Sequence, residues 1–292
     1  MSARAVMRNN LGVLLVLIAW SSCDSTEITP LGFDPFDTED GVLSVYGYLE
    51  TGTLDQTVRV QLLRRTIERP TRPEDAAVDA LVTTEALSTG AVTIWTPRLV
   101  RFADSTYGEV YDATMEPRTG ETYRLVVERG TDQATAEVTV PPMPRGALVA
   151  SSAPRTQAIV WAPLTRITTT RFIARIGCGP GSIPVTVSDA ITVEQEGDEA
   201  RMTLDLDVMR RRVDAALGTA SSTTLFLAEF ILTPTVADAE WTLPADTTTL
   251  VQPEINSNIE GGYGRFGAVT RGFFAWKPAA AALDGLAIEV CP

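Results

Sequence analysis

The chain has 292 residues, of which 45% are hydrophobic and 21% charged, a composition typical of a globular protein rather than a disordered or fibrous one. It contains no histidine, so the commonest general base and metal ligand is absent. The net charge of -13 excludes a nucleic-acid-binding protein that relies on a basic surface to displace counterions.

The first residues have the features of a secretory signal. Two arginines precede the apolar run Leu11–Trp20, which is too short for a permanent membrane span of about 20 residues. Two serines then precede Cys23. This arrangement resembles the lipobox of bacterial lipoproteins, although Trp20 stands where leucine is usual. The resemblance implies that residues 1–22 are removed and that Cys23 is acylated, which would anchor the chain to a membrane. The alternative is a secreted protein without a lipid.

Residues 23–40 combine proline and glycine with a cluster of acidic residues at the far end. A calcium loop is one interpretation, because calcium prefers oxygen ligands. The spacing does not match the alternating carboxylates of an EF-hand loop. We therefore predict an acidic, solvated tether.

The pattern from residue 41 to 142 predicts an immunoglobulin-like β-sandwich. Short runs with alternating apolar residues are separated by glycine and proline turns. The predicted strands are Val42–Leu49, Val58–Leu62, Ala91–Trp95, Arg98–Phe102, Gly108–Tyr111, Thr122–Val127 and Ala134–Val140. The polar segment Ile67–Ala86 contains two prolines and is predicted to be a loop. Prolines at 141, 142 and 144 cannot continue a ladder and mark the domain boundary.

Residues 143–292 predict a second β-rich domain with one or two short helices, so the predicted fold class is mainly all-β. The predicted strands are Ala147–Val149, Ala158–Trp161, Thr168–Ile176, Val185–Val193, Arg201–Leu204, Thr223–Leu232 and Leu286–Val290. Apolar residues at helical spacing predict a helix that Asp205 or Asp207 caps and Gly218 ends. A second short helix is predicted between Pro278 and Gly285.

Arg210, Arg211 and Arg212 follow one another in the predicted helix. They could form an anion clamp, because guanidinium groups bind carboxylate or phosphate in a bidentate way. The alternative is a solvated helix face whose arginines pair with Asp207 and Asp214 one turn away. We favour the solvated face.

Cys178 and Cys291 form an even pair once Cys23 is set aside. Disulfides persist in exported proteins, so we predict a bridge between the two, the alternative being two buried thiols. Two cysteines without histidine cannot complete a closed zinc site, and no metal is predicted.

The segment Ser257–Ala268 is rich in glycine. A phosphate-binding loop would need a following lysine and serine or threonine, which are missing here. We predict a tight structural crossing in which glycines supply positive φ or close approach, while Tyr263 and Phe266 enter the core. The residues of this motif are Asn258, Gly261, Gly262, Gly264, Phe266 and Gly267.

This segment is similar to the S-N-x-x-G-G-x-G-x-F-G signature of the Bacteroidota lipoproteins called domain-of-unknown-function (DUF) family 4249. The first domain resembles the family as well, through Val45–Leu49, Gly90–Ile94 and Gly120–Leu125. The resemblance implies an opening immunoglobulin-like domain, an outer-membrane location, and a gene near a TonB-dependent transporter. The family has no established reaction, so it supplies no catalytic residue.

Catalysis has little support in the sequence. A carboxylate pair of the glycosidase type needs no histidine, but Glu109, Glu121, Glu229 and Glu260 are scattered along the chain. Serine nucleophiles lack a histidine base, and the only lysine is Lys277. We therefore predict a non-enzymatic protein with no catalytic residue and no cofactor.

Two functions remain open. The first is an accessory or binding module that presents a peptide or glycan to a TonB-dependent transporter, with a stacking platform drawn from Trp95, Trp161, Trp241 and Trp276. The second is a structural envelope protein that only makes protein–protein contacts. Exposed coplanar aromatics would favour the first, whereas buried tryptophans and a flat apolar patch would favour the second.

Overall fold

The structure is a computed structural model that describes residues 41–63, 70–151, 153–238 and 257–292. These residues belong to one unit, Thr38–Pro292. The predicted signal segment, Cys23, the acidic tether and Trp241 lie outside the described residues.

Alternating apolar residues form strands throughout the first half. In the second strand, for example, Val58 and Val60 are fully buried while Thr57 between Gln56 and Val58 is exposed. The strands are β1 (Leu43–Glu50), β2 (Asp55–Leu62), β3 (Leu81–Ala86), β4 (Ala91–Ile94), β5 (Thr96–Arg101), β6 (Tyr107–Thr114), β7 (Thr122–Arg129) and β8 (Asp132–Thr139).

Strand β3 corrects the predicted loop over Ile67–Ala86. It lies inside a four-stranded sheet of order β4-β3-β7-β8. Thr84 is polar yet buried, because its Oγ1 accepts a hydrogen bond of 2.6 Å from the indole Nε1 of Trp95. A buried threonine whose hydroxyl accepts a hydrogen bond from another strand cannot be told from a loop threonine in the sequence. The alternation of apolar and polar residues therefore does not reveal this strand.

Within the described residues, the second half contains ten strands and one α-helix. The elements are β9 (Arg145–Val149), β10 (Thr156–Ala162), β11 (Arg166–Ile176), β12 (Ile183–Thr186), β13 (Ile191–Glu196), β14 (Glu199–Asp205), α1 (Leu206–Leu217), β15 (Leu225–Ala237), β16 (Tyr263–Arg271), β17 (Phe274–Trp276) and β18 (Ile288–Val290). The predicted second helix is a single 3-10 turn, Ala280–Leu283.

The predicted strand Val185–Val193 is wrong, because a 3-10 turn at Ser188–Ala190 divides it. The Ser188 hydroxyl accepts a hydrogen bond of 3.1 Å from the backbone N–H of Phe172. The pairing of β12 with β11 ends at this turn, and the next strand, β13, belongs to a different sheet.

Helix α1 begins and ends at sequence-encoded caps. The Asp205 carboxylate accepts a hydrogen bond of 2.9 Å from the Val208 N–H, and Gly218 ends the helix with φ of 67°. Asp205, rather than Asp207, is therefore the capping residue.

One large sheet runs through both halves of the chain, in the order β12-β11-β15-β16-β1-β2-β6-β5. The sheet β4-β3-β7-β8 packs over its first-half part, and the sheet β13-β14-β10-β9 packs over its second-half part. The mainly all-β fold with a sandwich at its start is confirmed.

Strand β16 connects the two halves. It pairs in parallel with β1, and Phe266 and Ala268 are fully buried in the first core together with Ile259. The second core is built around Trp161, Phe172 and Phe230. The predicted boundary at residue 142 separates the halves in the sequence, but a strand from the second half completes the first sandwich.

Candidate functional site

The glycine-rich segment forms the crossing between β16 and the first sandwich. Gly261 and Gly264 have φ of +72° and +112°, and a Cβ on either would overlap a backbone carbonyl oxygen, that of Gln133 or of Val45. A Cβ on Gly262 would lie 2.6 Å from the Leu43 carbonyl oxygen. Only glycine allows this backbone approach.

Asn258 completes the hydrogen bonding of β16 where β15 no longer pairs with it. Its Nδ2 donates to the Phe266 carbonyl at 2.7 Å, and its Oδ1 accepts from the Phe266 N–H at 3.0 Å. Two residues further along β16, the Asp238 carboxylate accepts a hydrogen bond from the Ala268 N–H at 2.8 Å. Gly267 lies opposite Tyr48 of β1. The polar groups of this motif are engaged within the fold, so the arrangement is structural.

The three tryptophans that the structure describes do not form a stacking platform. Trp95, Trp161 and Trp276 are all buried in the two cores, and Trp276 donates through Nε1 to Gln157 at 2.8 Å. The platform predicted from these three residues is wrong, because each of them fills the space between two sheets. The fourth, Trp241, lies outside the described residues.

Four acidic residues considered for catalysis have separate partners. Glu109 is buried and accepts hydrogen bonds from the Val78 N–H at 2.7 Å and from the Tyr111 hydroxyl at 2.9 Å. Burial, and then the neighbouring Glu109, raise the pKa of Tyr111 above its usual range. Glu121 accepts from Ser88, Glu229 pairs with Arg175, and Glu260 forms a backbone bridge with Thr135.

The predicted pairing of Arg210 with Asp214 is confirmed, but the predicted solvation of Arg210 is wrong. Its side chain is buried and donates to the Asp214 carboxylate at 3.0 Å. It also donates to the carbonyls of Leu286 at 3.0 Å and Ala287 at 2.7 Å. Further contacts reach the carbonyls of Ala220, Ser221 and Thr223. Arg210 thus ties the helix to the turn that directly follows it and to the turn at Leu286 and Ala287, which is distant in sequence.

The electrostatics around α1 are those of internal pairing. Burial raises the pKa of Asp214, but hydrogen bonds from Arg210 and Thr219 outweigh it and hold the pKa below its usual range. Arg212 pairs with Asp189, and Asp207 pairs with Arg155 at 3.0 Å. These contacts leave the arginine run without the geometry of an anion clamp, since Arg210 and Arg212 reach different acidic partners.

Cys178 and Cys291 are joined in a disulfide, with a Cα–Cα distance of 5.6 Å. The bridge attaches the segment after β18 to the turn after β11. Lys277 adds a second attachment, because its Nζ donates to the Cys291 carbonyl at 3.1 Å.

One shallow depression of the surface has a volume of about 650 Å³. It is lined by Leu164, Thr165, Arg166, Gln195, Gly197 and Asp198. The Gln195 amide donates to the Thr165 carbonyl at 2.7 Å and accepts from the Ile167 N–H at 3.1 Å. The Gln195 side chain in this depression therefore stabilises the local backbone.

Exposed apolar side chains are spread over several strands and loops, and two of the most exposed lie on the edge strand β4. Val92 and Ile94 of β4 are 60% and 68% exposed, and Leu81 of the neighbouring β3 is 48% exposed. Among the residues that the structure describes, no three His, Cys, Asp or Glu side chains converge as a metal-binding group. In the same ranges, no helix has the length and apolar character of a membrane span.

The strand order and the two cores define an all-β protein whose first domain is an immunoglobulin-like sandwich. A family model described as Domain of unknown function (DUF4249) matches residues 28–201, which is more than half of the chain. The chain therefore belongs to this family. The matched range contains Val45–Leu49 and Gly120–Leu125, whereas Ser257–Ala268 lies beyond it.

Comparisons with other proteins add no activity. No curated protein matches the chain. A solved tandem of titin immunoglobulin domains shares 8% identity, covers 68% of this chain and 91% of its own, and has a TM-score of 0.20. Bovine butyrophilin shares 10% identity, covers 66% of this chain and 91% of its own, and has a TM-score of 0.21. Superpositions this loose carry no argument about function.

Proposed function

We propose that this protein is a non-enzymatic lipoprotein of the cell envelope that acts as an accessory or binding module for a TonB-dependent outer-membrane transporter. Acylation of Cys23 would anchor it in the outer membrane, and the acidic residues 23–40 would hold the folded part away from the surface. The signal-like segment 1–22 and the family membership support this location.

The observation that carries the proposal is the contrast between the interior and the sheet edges. The described tryptophans are buried, and Arg210 and Glu109 serve internal hydrogen bonds. Exposed Val92 and Ile94, in contrast, occupy a strand at the edge of a sheet. Such an aliphatic edge suits a peptide or protein partner, whereas the exposed aromatic rings Tyr46 and Tyr48, which could stack on a glycan, lie on β1.

A structural envelope protein is the alternative function. Buried tryptophans and an apolar patch made by Leu81, Val92 and Ile94 favour protein contacts without a transported ligand. The two functions differ in whether a transporter is the stable partner.

Affinity isolation of the full chain from its native outer membrane tests the proposal. The matched control is Cys23→Ala, which removes the acylation site and leaves the described fold unchanged. We expect a TonB-dependent transporter in stoichiometric amount with the lipidated protein, and loss of both membrane association and transporter with the variant. Recovery of the lipidated protein with other envelope proteins and no transporter would favour the structural alternative.

A further inference from the structure

Strand β4 has backbone hydrogen-bonding groups that face away from its sheet. The Trp95 N–H donates to the Val82 carbonyl at 2.9 Å, which fixes the alternation of the β3–β4 ladder. In an antiparallel pair, every second residue directs its N–H and C=O toward the partner strand. Trp95, Thr93 and Ala91 therefore face β3, and the backbone groups of Val92 and Ile94 point to the open side.

The side chains at these two positions have an environment that matches the open backbone. Val92 and Ile94 are opposite Glu85 and Thr83 of β3, and both are largely exposed. Thr93 is opposite buried Thr84 on the inner face, next to the Trp95 indole. The inner face of β4 is thus anchored, while no strand within the described ranges pairs with its outer edge.

Other terminal strands of the three sheets have features that hinder strand addition. In β5, the Phe102 N–H donates to the Thr106 carbonyl, and the alternation from that bond places Pro97 on the open side. In β12, the Val187 N–H donates to the Phe172 carbonyl, and the same alternation places Pro184 on the open side. Thr135 of β8 is already bridged to Glu260. Strand β13 contains the charged residues Glu194 and Glu196. Strand β9 has one charge, Arg145, at its first position, and its Leu148 and Val149 are less exposed than Val92 and Ile94.

We propose that β4 is a docking edge for an extended segment of a partner protein, which adds as a further strand to the sheet β4-β3-β7-β8. The inference deepens the proposed function and rests on it for the location of the partner. Main-chain hydrogen bonds to Val92 and Ile94 supply the attraction, and alternate side chains of the incoming strand cover the exposed Val92 and Ile94 side chains.

The chemistry of β4 defines the incoming segment. Its residues facing Val92 and Ile94 are uncharged and β-branched, since both positions are aliphatic and present no ionic partner. The segment is not acidic, because the chain carries a net charge of -13. A second copy of this chain is a poorer occupant, because two copies that each carry a net charge of -13 repel one another.

The probe is a blocked peptide, Lys-Thr-Val-Thr-Val-Thr-Lys, titrated into the full chain carrying Cys23→Ala. Amide hydrogen exchange followed by NMR reports on individual residues. We expect the peptide to slow exchange at Val92 and Ile94 by about ten-fold or more, because these two amides gain partners. Unchanged exchange at both residues under peptide excess would overturn the proposal. Slowing that appears with rising protein concentration and no peptide would overturn it in favour of self-pairing.

Val92→Pro tests the backbone contribution, because it removes an N–H that β3 does not use. We expect about a ten-fold weaker peptide affinity with an unchanged thermal midpoint. Ile94→Lys blocks the edge by charge, and Val193→Lys on the edge strand β13 is the matched control that retains the affinity. Equal affinity for the wild type and both β4 variants would exclude β4 as the docking edge.

The same Ile94→Lys variant separates this inference from the proposed function. If a transporter co-purifies with the lipidated wild type and is lost from the Ile94→Lys variant, the result supports both the β4 docking edge and the proposed function. A transporter retained by Ile94→Lys overturns the β4 edge and leaves the proposed function intact. Absence of a transporter from the wild type overturns the proposed function, whereas peptide binding at β4 is measured independently.

Discussion

Gly264 shows how a single missing Cβ permits the pairing of two distant strands. It has φ of +112°, and the Val45 backbone of β1 occupies the space that a side chain would need. Gly197 also has positive φ, at +62°, but a Cβ added to it would meet no atom within 4 Å. An alanine at Gly197 would therefore cost only backbone strain, whereas an alanine at Gly264 would cost both strain and steric overlap.

Gly264→Ala should therefore lower the free energy of unfolding by about 3 kcal/mol or more, since strain and overlap add. Gly197→Ala should cost about 1 kcal/mol, because only the left-handed conformation is penalised. Urea denaturation followed by circular dichroism measures both. Equal losses would mean that the close approach of β1 and β16 relaxes easily.

Arg210 is the buried charge on which several carbonyls depend. Arg210→Leu should cost about 3–5 kcal/mol, because it leaves the Asp214 carboxylate buried without its partner. Arg211→Leu on the exposed side of the same helix should stay within about 0.5 kcal/mol. Thermal and denaturant unfolding of the two variants give this comparison directly.

The Asp214 carboxylate predicts a pH dependence. Its pKa in the folded protein lies below the usual value, so its contribution to stability is complete above about pH 4 and is lost as the pH falls through the folded pKa. Asp214→Asn should flatten the fall in unfolding free energy below about pH 4. Denaturation series at several acidic pH values test this, and an unchanged slope would assign the acid sensitivity to other groups.

At the scale of elements, the C-terminal strand β18 is held by a covalent bond as well as by its ladder. It pairs with β15 over Leu225, Phe226 and Leu227, and the disulfide spans 113 residues of sequence. Chain entropy alone gives about 4.7 kcal/mol for a closed loop of about 100 residues.

Cys178→Ala combined with Cys291→Ala should thus lower the unfolding free energy by about 4–5 kcal/mol. The wild type measured with reductant should approach the double variant. A loss well below about 2 kcal/mol would indicate that the unfolded chain remains compact without the bridge.

Element-level prediction succeeds where the signal is local. Alternation locates most strands, and Asp205 and Gly218 give the bounds of α1. Strand β3 is not predicted, because the burial of Thr84 depends on its hydrogen bond with Trp95. The burial of Arg210 is not predicted either, because two of its carbonyl partners lie 76 and 77 residues away. Neither dependence has a periodic trace in the sequence.

At the scale of the whole molecule, the long sheet makes the first sandwich dependent on the second half of the chain. Phe266 and Ala268 occupy the first core, and the Thr270 hydroxyl donates to the Pro141 carbonyl at 2.9 Å. Residues 41–142 alone would expose the side of β1 that β16 covers.

A fragment of residues 41–142 should therefore be unfolded or aggregated, whereas the same fragment with residues 257–271 joined by a flexible linker should fold. Dispersion of amide resonances distinguishes the two states. A well-dispersed spectrum from 41–142 alone would show that β16 is dispensable to the first core.

The sequence by itself determined the fold class, the signal-like start, the helix caps, the cysteine pair and the family resemblance, because each depends on residues close together or on counts of residue types. Only the tertiary structure decided that Trp95, Trp161 and Trp276 are buried, that Arg210 is internal, and that β16 completes the first sandwich. It also decided which edge is open at β4. These facts depend on contacts between residues that are distant in sequence, and the pairing of distant strands is set by the total packing of both cores rather than by any local pattern.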